Sequence, residues 1–269
     1  MELRQSALQA YEINHATQKA LAVQTLAQQA SAQQVDCTVQ FVAPALPGRP
    51  SLPALVPPQN VPRRSPYTAQ GHAALMHSIA HIEFNAIDLA LDAVWRFSHL
   101  PQAYYRDWMQ VAGEEAKHFL LLQNHLQSYG FGYGDFTAHD GLWTLCDRTR
   151  HDVAARMALI PRTLEARGLD ATPVVQNKLR RVGSPQALAA VEILDIILQD
   201  EVGHVAIGNR WYHWLCEQRG LDPRKFAANV AHEHKAPVPK PPFNHLARRL
   251  AGFSEDEIQA LSAAAMPKQ

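Results

Sequence analysis

Two histidines, His118 and His204, each follow a glutamate by three residues, in the middle of long helical patterns that are otherwise apolar at that phase. Glu115-Ala-Lys-His118 has Trp108, Val111, Ala112, Phe119 and Leu122 at helical offsets; Glu201-Val-Gly-His204 has Leu194, Ile197, Leu198, Val205 and Gly208. Residues three apart project from one face of a helix. A carboxylate on an apolar face is costly unless it is paired or coordinates a cation. One such site also reads as a buried Glu–His pair that satisfies itself. The same arrangement on a second helix favours ligation of a cation.

Two further carboxylates extend the pattern. Glu83 has Met76, Ile79, Ala80, Ala86, Ile87 and Ala90 at the same offsets, and the alanines suit close helix approach. Glu165 shares a face with Ala158 and Pro161, and Arg162 one turn earlier leaves a surface Glu–Arg pair as a competing reading. Glu83 precedes Glu115 by 32 residues and Glu165 precedes Glu201 by 36, so the order is Glu, Glu-x-x-His, a longer connection, Glu, Glu-x-x-His. Two helix hairpins joined by a crossover would bring these six residues together, as a carboxylate-bridged dimetal bundle requires. Carboxylate oxygens with only two imidazoles suit iron or manganese better than structural zinc, so two ions, iron or manganese, are expected. Asp200 and Glu114, each one residue before a ligand glutamate, are placed either at the surface or behind a ligand histidine of a neighbouring helix, as its hydrogen-bond acceptor. Glu192 lies nine residues before Glu201, on the opposite face, and is expected in solvent. His77, His81 and Asp88 read as capping, packing or surface residues.

The pattern around these motifs is all-α. Residues 1–34, rich in Ala, Gln and Leu, read as one helix. Prolines at 44, 47, 50, 53, 57, 58, 62 and 66 make 43–66 an extended strap, with Leu52, Leu55 and Val56 suggesting that it wraps the core. Four long helices follow, over 69–98, 101–129, 144–168 and 185–220. Gly130 and Gly168 are placed at C-terminal caps, Pro161 at a kink, and Ser184 at an N-cap. Residues 172–182 read as a short helix. After a proline-rich link over 236–242, helices are expected over 243–251 and 254–264, the latter opened by a Ser254/Glu257 capping box. The organisation is thus 1–66 helix and strap, 67–222 a four-helix bundle, and 223–269 a helical extension.

Composition narrows the function. With 25 basic and 25 acidic residues the formal net charge is zero, so the basic excess of a nucleic-acid binder is absent. Cys37, Cys146 and Cys216 are odd in number and form no CxxC pair, which argues against a disulfide scaffold or a thiolate metal site. No apolar leader and no apolar run of membrane-spanning length occurs. A cytoplasmic, soluble protein is expected, compatible with a homo-oligomer.

Several motifs resemble one another's counterparts in known proteins: Pro-Gly-Arg-Pro at 47–50, His81-Ile-Glu-Phe-Asn-Ala, Asp107-Trp108 followed by Glu114-Glu115-Ala-Lys-His118-Phe, Leu164-Glu-Ala-Arg-Gly-Leu-Asp170, Asp200-Glu-Val-Gly-His204-Val, and Pro242-Phe-Asn in the tail. Together they resemble the ferritin-like superfamily of diiron carboxylate proteins, and within it a bacterial ferritin-like family of unknown function. The Leu-Glu-Ala-Arg segment is also similar to the third helix of the superfamily's tRNA-modifying hydroxylases, which supports Glu165 as a ligand. The resemblance implies a ferritin-like four-helix bundle holding two metal ions with Glu83, Glu115, His118, Glu165, Glu201 and His204. The activity that follows is dioxygen-dependent oxidation of a small-molecule substrate with an external electron donor, with Tyr104, Tyr105 and Trp108 lining the pocket or simply packing. Ferroxidase or iron handling is the alternative, and an interaction scaffold carrying a metal site is the third.

Overall fold

The computed structural model describes residues 2–42, 44 and 46–264. Met1 of the expected first helix, Ala43 and Ala45 of the strap, and residues 265–269 lie outside the described residues. Among these the protein is all-α, with no strand beyond two isolated bridges, Glu2 with Gln34 and Leu55 with Ala138. It divides into two compact units: Met1–Trp143 with Val182–Ile193, and Thr144–Arg181 with Leu194–Gln269. Neither proline-rich link marks the division.

The first unit opens with two helices, not one: α1, Leu3–Tyr11, and α2, Ala16–Gln29. Glu2 caps α1 by accepting from the amides of Arg4 and Gln5 at 3.0 and 2.6 Å, and His15 caps α2. The composition is helical throughout, so the break comes from tertiary structure. The strap crosses there: Gly48 N donates to Tyr11 O at 2.9 Å, and a Cβ on Gly48 would sit 2.2 Å from Glu12 O. Only glycine lets the two backbones meet so closely.

The long helix α3, Ala69–Arg96, starts at Thr68, whose hydroxyl accepts from Gly71 N at 3.0 Å. It is buried without interruption from Glu83 to Trp95, as expected of a helix covered on all sides. Its partner α4, Gln102–Gln127, begins after Pro101 and is followed by Gly130 at φ +88. Arg4 of α1 reaches α3, donating to the carbonyls of Val94 and Trp95 at 3.2 and 2.9 Å. The strap does lie on this unit; of the apolar residues that suggested it, Leu52 and Leu55 are exposed and Val56 is half-buried. It is held by Lys19 Nζ donating to Gly48 O at 2.7 Å, by an Arg49–Asp140 ion pair at 2.9 Å, and by backbone bonds between 54–56 and Ala138.

The stretch expected as one helix over 144–168 is broken into α5, Gly141–Arg148, α6, Val153–Leu159, and a π-helical turn, Ile160–Glu165. Asp152 restarts the chain by capping α6. Pro161 has no N–H to give the helix, and the turn widens there, with Thr163 Oγ1 bonding Ala158 O at 2.9 Å. Gly168 ends nothing: α7 runs on from Ala166 to Val182 and absorbs the expected short helix. Next, α8 spans Pro185–Gln218 from its Ser184 cap, with Ser184 Oγ accepting from Ala187 N at 3.2 Å. An unanticipated α9, Pro223–Glu233, follows, then α10, His245–Leu250, and α11, Glu255–Ala264. The Ser254/Glu257 capping box is present, with Ser254 N to Glu257 Oε2 at 2.9 Å and Glu257 N to Ser254 Oγ at 3.3 Å.

In the second unit Ala166, Leu169, Val205, Ala247 and Ala251 form one core cluster. Arg248 pairs with Asp170 at 2.6 Å to fasten α10 to α7. Gly208 on α8 faces the π turn so closely that a Cβ would lie 2.3 Å from Pro161 Cβ. Neither a proline ring nor a helix backbone can swing aside, so Gly208→Ala is expected to destabilise by about 1–3 kcal/mol. Urea unfolding of the variant beside the wild type would measure this.

Candidate metal centre

In the first unit α3 and α4 supply a complete three-residue cluster. Glu83 sits mid-helix on α3, and Glu115 and His118 sit one turn apart on α4, all of them buried. His118 Nδ1 lies 3.2 Å from Glu83 Oε2 and 3.4 Å from Glu115 Oε2. One ligand atom from each of the three lies within 4.8 Å of the others. An ion bound at about 2.0–2.2 Å holds adjacent ligand atoms roughly 3 Å apart, so the spacing fits a shared cation. The donors fit as well: carboxylate oxygens and an imidazole are common metal-ligand types.

The second unit repeats the motif on α8. Glu201 is 8 % exposed and His204 fully buried, with His204 Nδ1 3.8 Å from Glu201 Oε1. Gly203 between them is open on its side, so nothing crowds the turn. Glu165 closes the π turn and is half-buried. The arginine that offered it a surface partner is engaged elsewhere: Arg162 pairs with Glu257, meets His213 Nε2 at 3.1 Å, and lies 4.2 Å over the Tyr212 ring. Glu83, Glu115 and His118 of the first unit and Glu201 of the second are all buried, and each carries an atom of metal-ligand type. Asp200 and Glu114 are half-buried, Glu114 accepting from Gln110 Nε2 at 3.0 Å, while Glu192 is exposed.

The surroundings in the first unit are aromatic and dry. Phe84, Phe119 and Tyr133 pack together with ring centroids 5.0–5.5 Å apart. His81 accepts from Tyr133 OH at 2.8 Å through Nδ1 and donates to His139 O at 3.2 Å through Nε2, the tautomer that satisfies both. Burial pushes the His81 imidazole down to about 4, keeping it neutral. Tyr105 is a packing residue: it bonds Phe97 O at 3.0 Å and carries the Arg4 guanidinium 4.8 Å above its ring.

Sequence reasoning missed one buried pair. Lys19 of α2 meets Asp88 of α3 at 2.5 Å, and both side chains are fully buried. Burial outweighs their mutual attraction, raising the Asp88 carboxyl to about 6 and lowering the Lys19 ammonium. The available signal was Lys19 itself, which falls in phase with Ala16, Ala20 and Val23.

Among the described residues no helix is long and apolar enough to cross a membrane. The chain is 51 % identical, over 216 residues, to an uncharacterized protein of Haemophilus influenzae, covering 78 % of this chain and 74 % of that one. No solved structure matches it. A family model described as "Protein of unknown function (DUF455)" matches residues 12–259, nearly the whole chain including every candidate ligand, and the protein belongs to that family.

Proposed function

We propose that this protein is a dimetal, most simply diiron, carboxylate oxidoreductase on a ferritin-like four-helix bundle, using dioxygen and an external electron donor to oxidise a small-molecule substrate. The bundle helices are α3, α4, the α6–α7 segment and α8, with the crossover running between α4 and α6. In this reading Glu201 would join Glu83, Glu115 and His118 as ligands, and Glu165 and His204 would complete a set of six.

The observation that carries this reading is the repeated geometry. On α4 and again on α8 a buried histidine nitrogen faces the glutamate one turn before it, at 3.4 Å and 3.8 Å. Two such pairs on apolar stripes cost stability unless a cation repays it. Two iron ions held there would supply the electrons and the binding position for dioxygen. The chain supplies the rest. Glu83 and Glu115 would balance the positive charge, and the neutral ring of His118 would offer a lone pair. Phe84 and Phe119, 2 % and 0 % exposed, keep water away from the α3–α4 side.

Anaerobic loading with ferrous iron followed by elemental analysis is expected to approach two ions per chain. Glu165→Ala should fall to one, whereas Glu192→Ala, altering an exposed residue, should stay at two. A wild-type plateau at one ion would remove the dimetal reading, and reversed losses would remove Glu165 from the ligand set.

A further inference from the structure

A second cluster sits at the other end of the α3–α4 pair. His72 lies at the start of α3 and His125 in the last turn of α4, 4 % and 8 % exposed. Their rings stand nearly perpendicular, at 83°, with centroids 5.8 Å apart. Tyr129, just beyond α4, closes a triangle at 5.6 Å from His72 and 5.1 Å from His125. Within it neither ring nitrogen of His72, nor Nε2 of His125, nor the Tyr129 hydroxyl has a hydrogen-bond partner, although each atom is shielded from solvent. A buried polar group left unpaired destabilises the fold. Four such atoms in one place are more than packing explains, because phenylalanine or leucine would fill the volume without that cost.

We propose that His72, His125 and Tyr129 form a separate metal site that takes one divalent transition ion of the nitrogen-preferring kind, Zn²⁺ or Cu²⁺. Two imidazoles and a phenol oxygen, with no carboxylate, select such ions over magnesium or calcium. The spacing agrees. An ion about 2.0–2.1 Å from a ring nitrogen is roughly 3.2 Å from that ring's centroid, so two rings on one ion have centroids about 5–6 Å apart. Burial supports it too: it lowers the His72 imidazole to about 4 and lowers His125, so both rings are neutral with a lone pair to give. Burial raises the Tyr129 phenol, which stays a neutral oxygen donor. The site is distinct from the carboxylate cluster. His72 precedes Glu83 by 11 residues, and His125 follows His118 by 7, about 16 Å and 10 Å of helix rise. Its ion would staple the free end of the α3–α4 hairpin, opposite the short connection at 97–101.

Equilibrium dialysis with Zn²⁺ alone, together with thermal melting, tests this on three full-length proteins: wild type, His72→Phe with His125→Leu, and Glu115→Leu with His118→Leu. The wild type should bind one more Zn²⁺ than the His72/His125 variant, or bind it at least about a hundredfold tighter. The Glu115/His118 variant should keep that ion and its zinc-dependent rise in melting temperature. Equal stoichiometry and affinity in wild type and the His72/His125 variant would overturn the site. Because that variant could fail to fold, anomalous scattering at the zinc edge from wild-type crystals gives a second reading. A peak between His72 and His125 is expected, and a peak beside Glu83, Glu115 and His118 alone would overturn it. Neither result depends on iron at the carboxylates, so this proposal and the diiron reading stand or fall separately.

Discussion

Replacing His118 and His204 together with leucine is expected to abolish dioxygen consumption by the ferrous-loaded protein while leaving the metal-free chain folded. Both imidazoles are fully buried, each beside a carboxylate on its own helix. Leucine has comparable bulk and packs on the same apolar stripes. The variant therefore removes two nitrogen ligands without opening a large cavity. It also takes an imidazole partner from the buried glutamates, so the metal-free melting temperature should fall even though the chain stays folded. Loss of direct ligands should exceed the 10- to 100-fold, roughly, that follows from removing groups one step further out. Stopped-flow oxidation of the ferrous protein, wild type beside variant, reads the effect, and circular dichroism checks the fold. Indistinguishable oxidation rates would mean that these histidines do not form a reactive centre. Adding reductant and candidate substrates separates the two redox readings: a ferroxidase consumes oxygen with iron alone, whereas a hydroxylase couples it to product.

The second large effect lies away from the metal ligands. Asp88→Leu leaves the Lys19 ammonium buried between the Phe84 and Tyr11 rings, 5.3 and 5.7 Å from their centroids, with Gly48 O as its remaining acceptor. Removing one partner of a buried ion pair costs about 3–5 kcal/mol, which for a chain of this size lowers the melting temperature by about 10 °C. Lys19→Met with Asp88→Leu should recover most of that loss, because the pair is then replaced by apolar groups and no charge is stranded. If the double variant melts no higher than Asp88→Leu alone, the pair is not what holds α2 to α3. Limited proteolysis offers a second reading, since Lys19→Met removes the bond to Gly48 O and should expose the strap to cleavage.

Much of this was legible from periodicity. The ends of α3 and α4 fall within two residues of those expected, and the caps at Ser184 and Ser254 stand where the sequence places them. Both signals are local. The candidate ligands Glu83, Glu115 and His118 were legible for the same reason: each interrupts an apolar stripe whose phase can be read along one helix. What failed was set by distant chain. The break between α1 and α2 depends on Gly48 arriving at Glu12, which no propensity along 1–34 encodes. Asp88 reads from the sequence as a capping, packing or surface residue; what decides between these is Lys19, which arrives from α2. At Pro161 the sequence announced a disturbance but not its form, since a π turn and a kink share the same missing N–H. Residues 172–182 joined α7 because Gly168, with open space around it, continues as ordinary helix.

The anchoring of α1 and α2 also sets an order of events during synthesis. Arg4 waits for the carbonyls of Val94 and Trp95, Lys19 for Asp88, and Arg49 for Asp140. A ribosome adding about 5–20 residues per second needs roughly 5–20 s to go from Arg4 to Trp95. Through that interval the first two helices have emerged, and Arg4 and Lys19 lack their partners on α3. They are the segments made first and completed late.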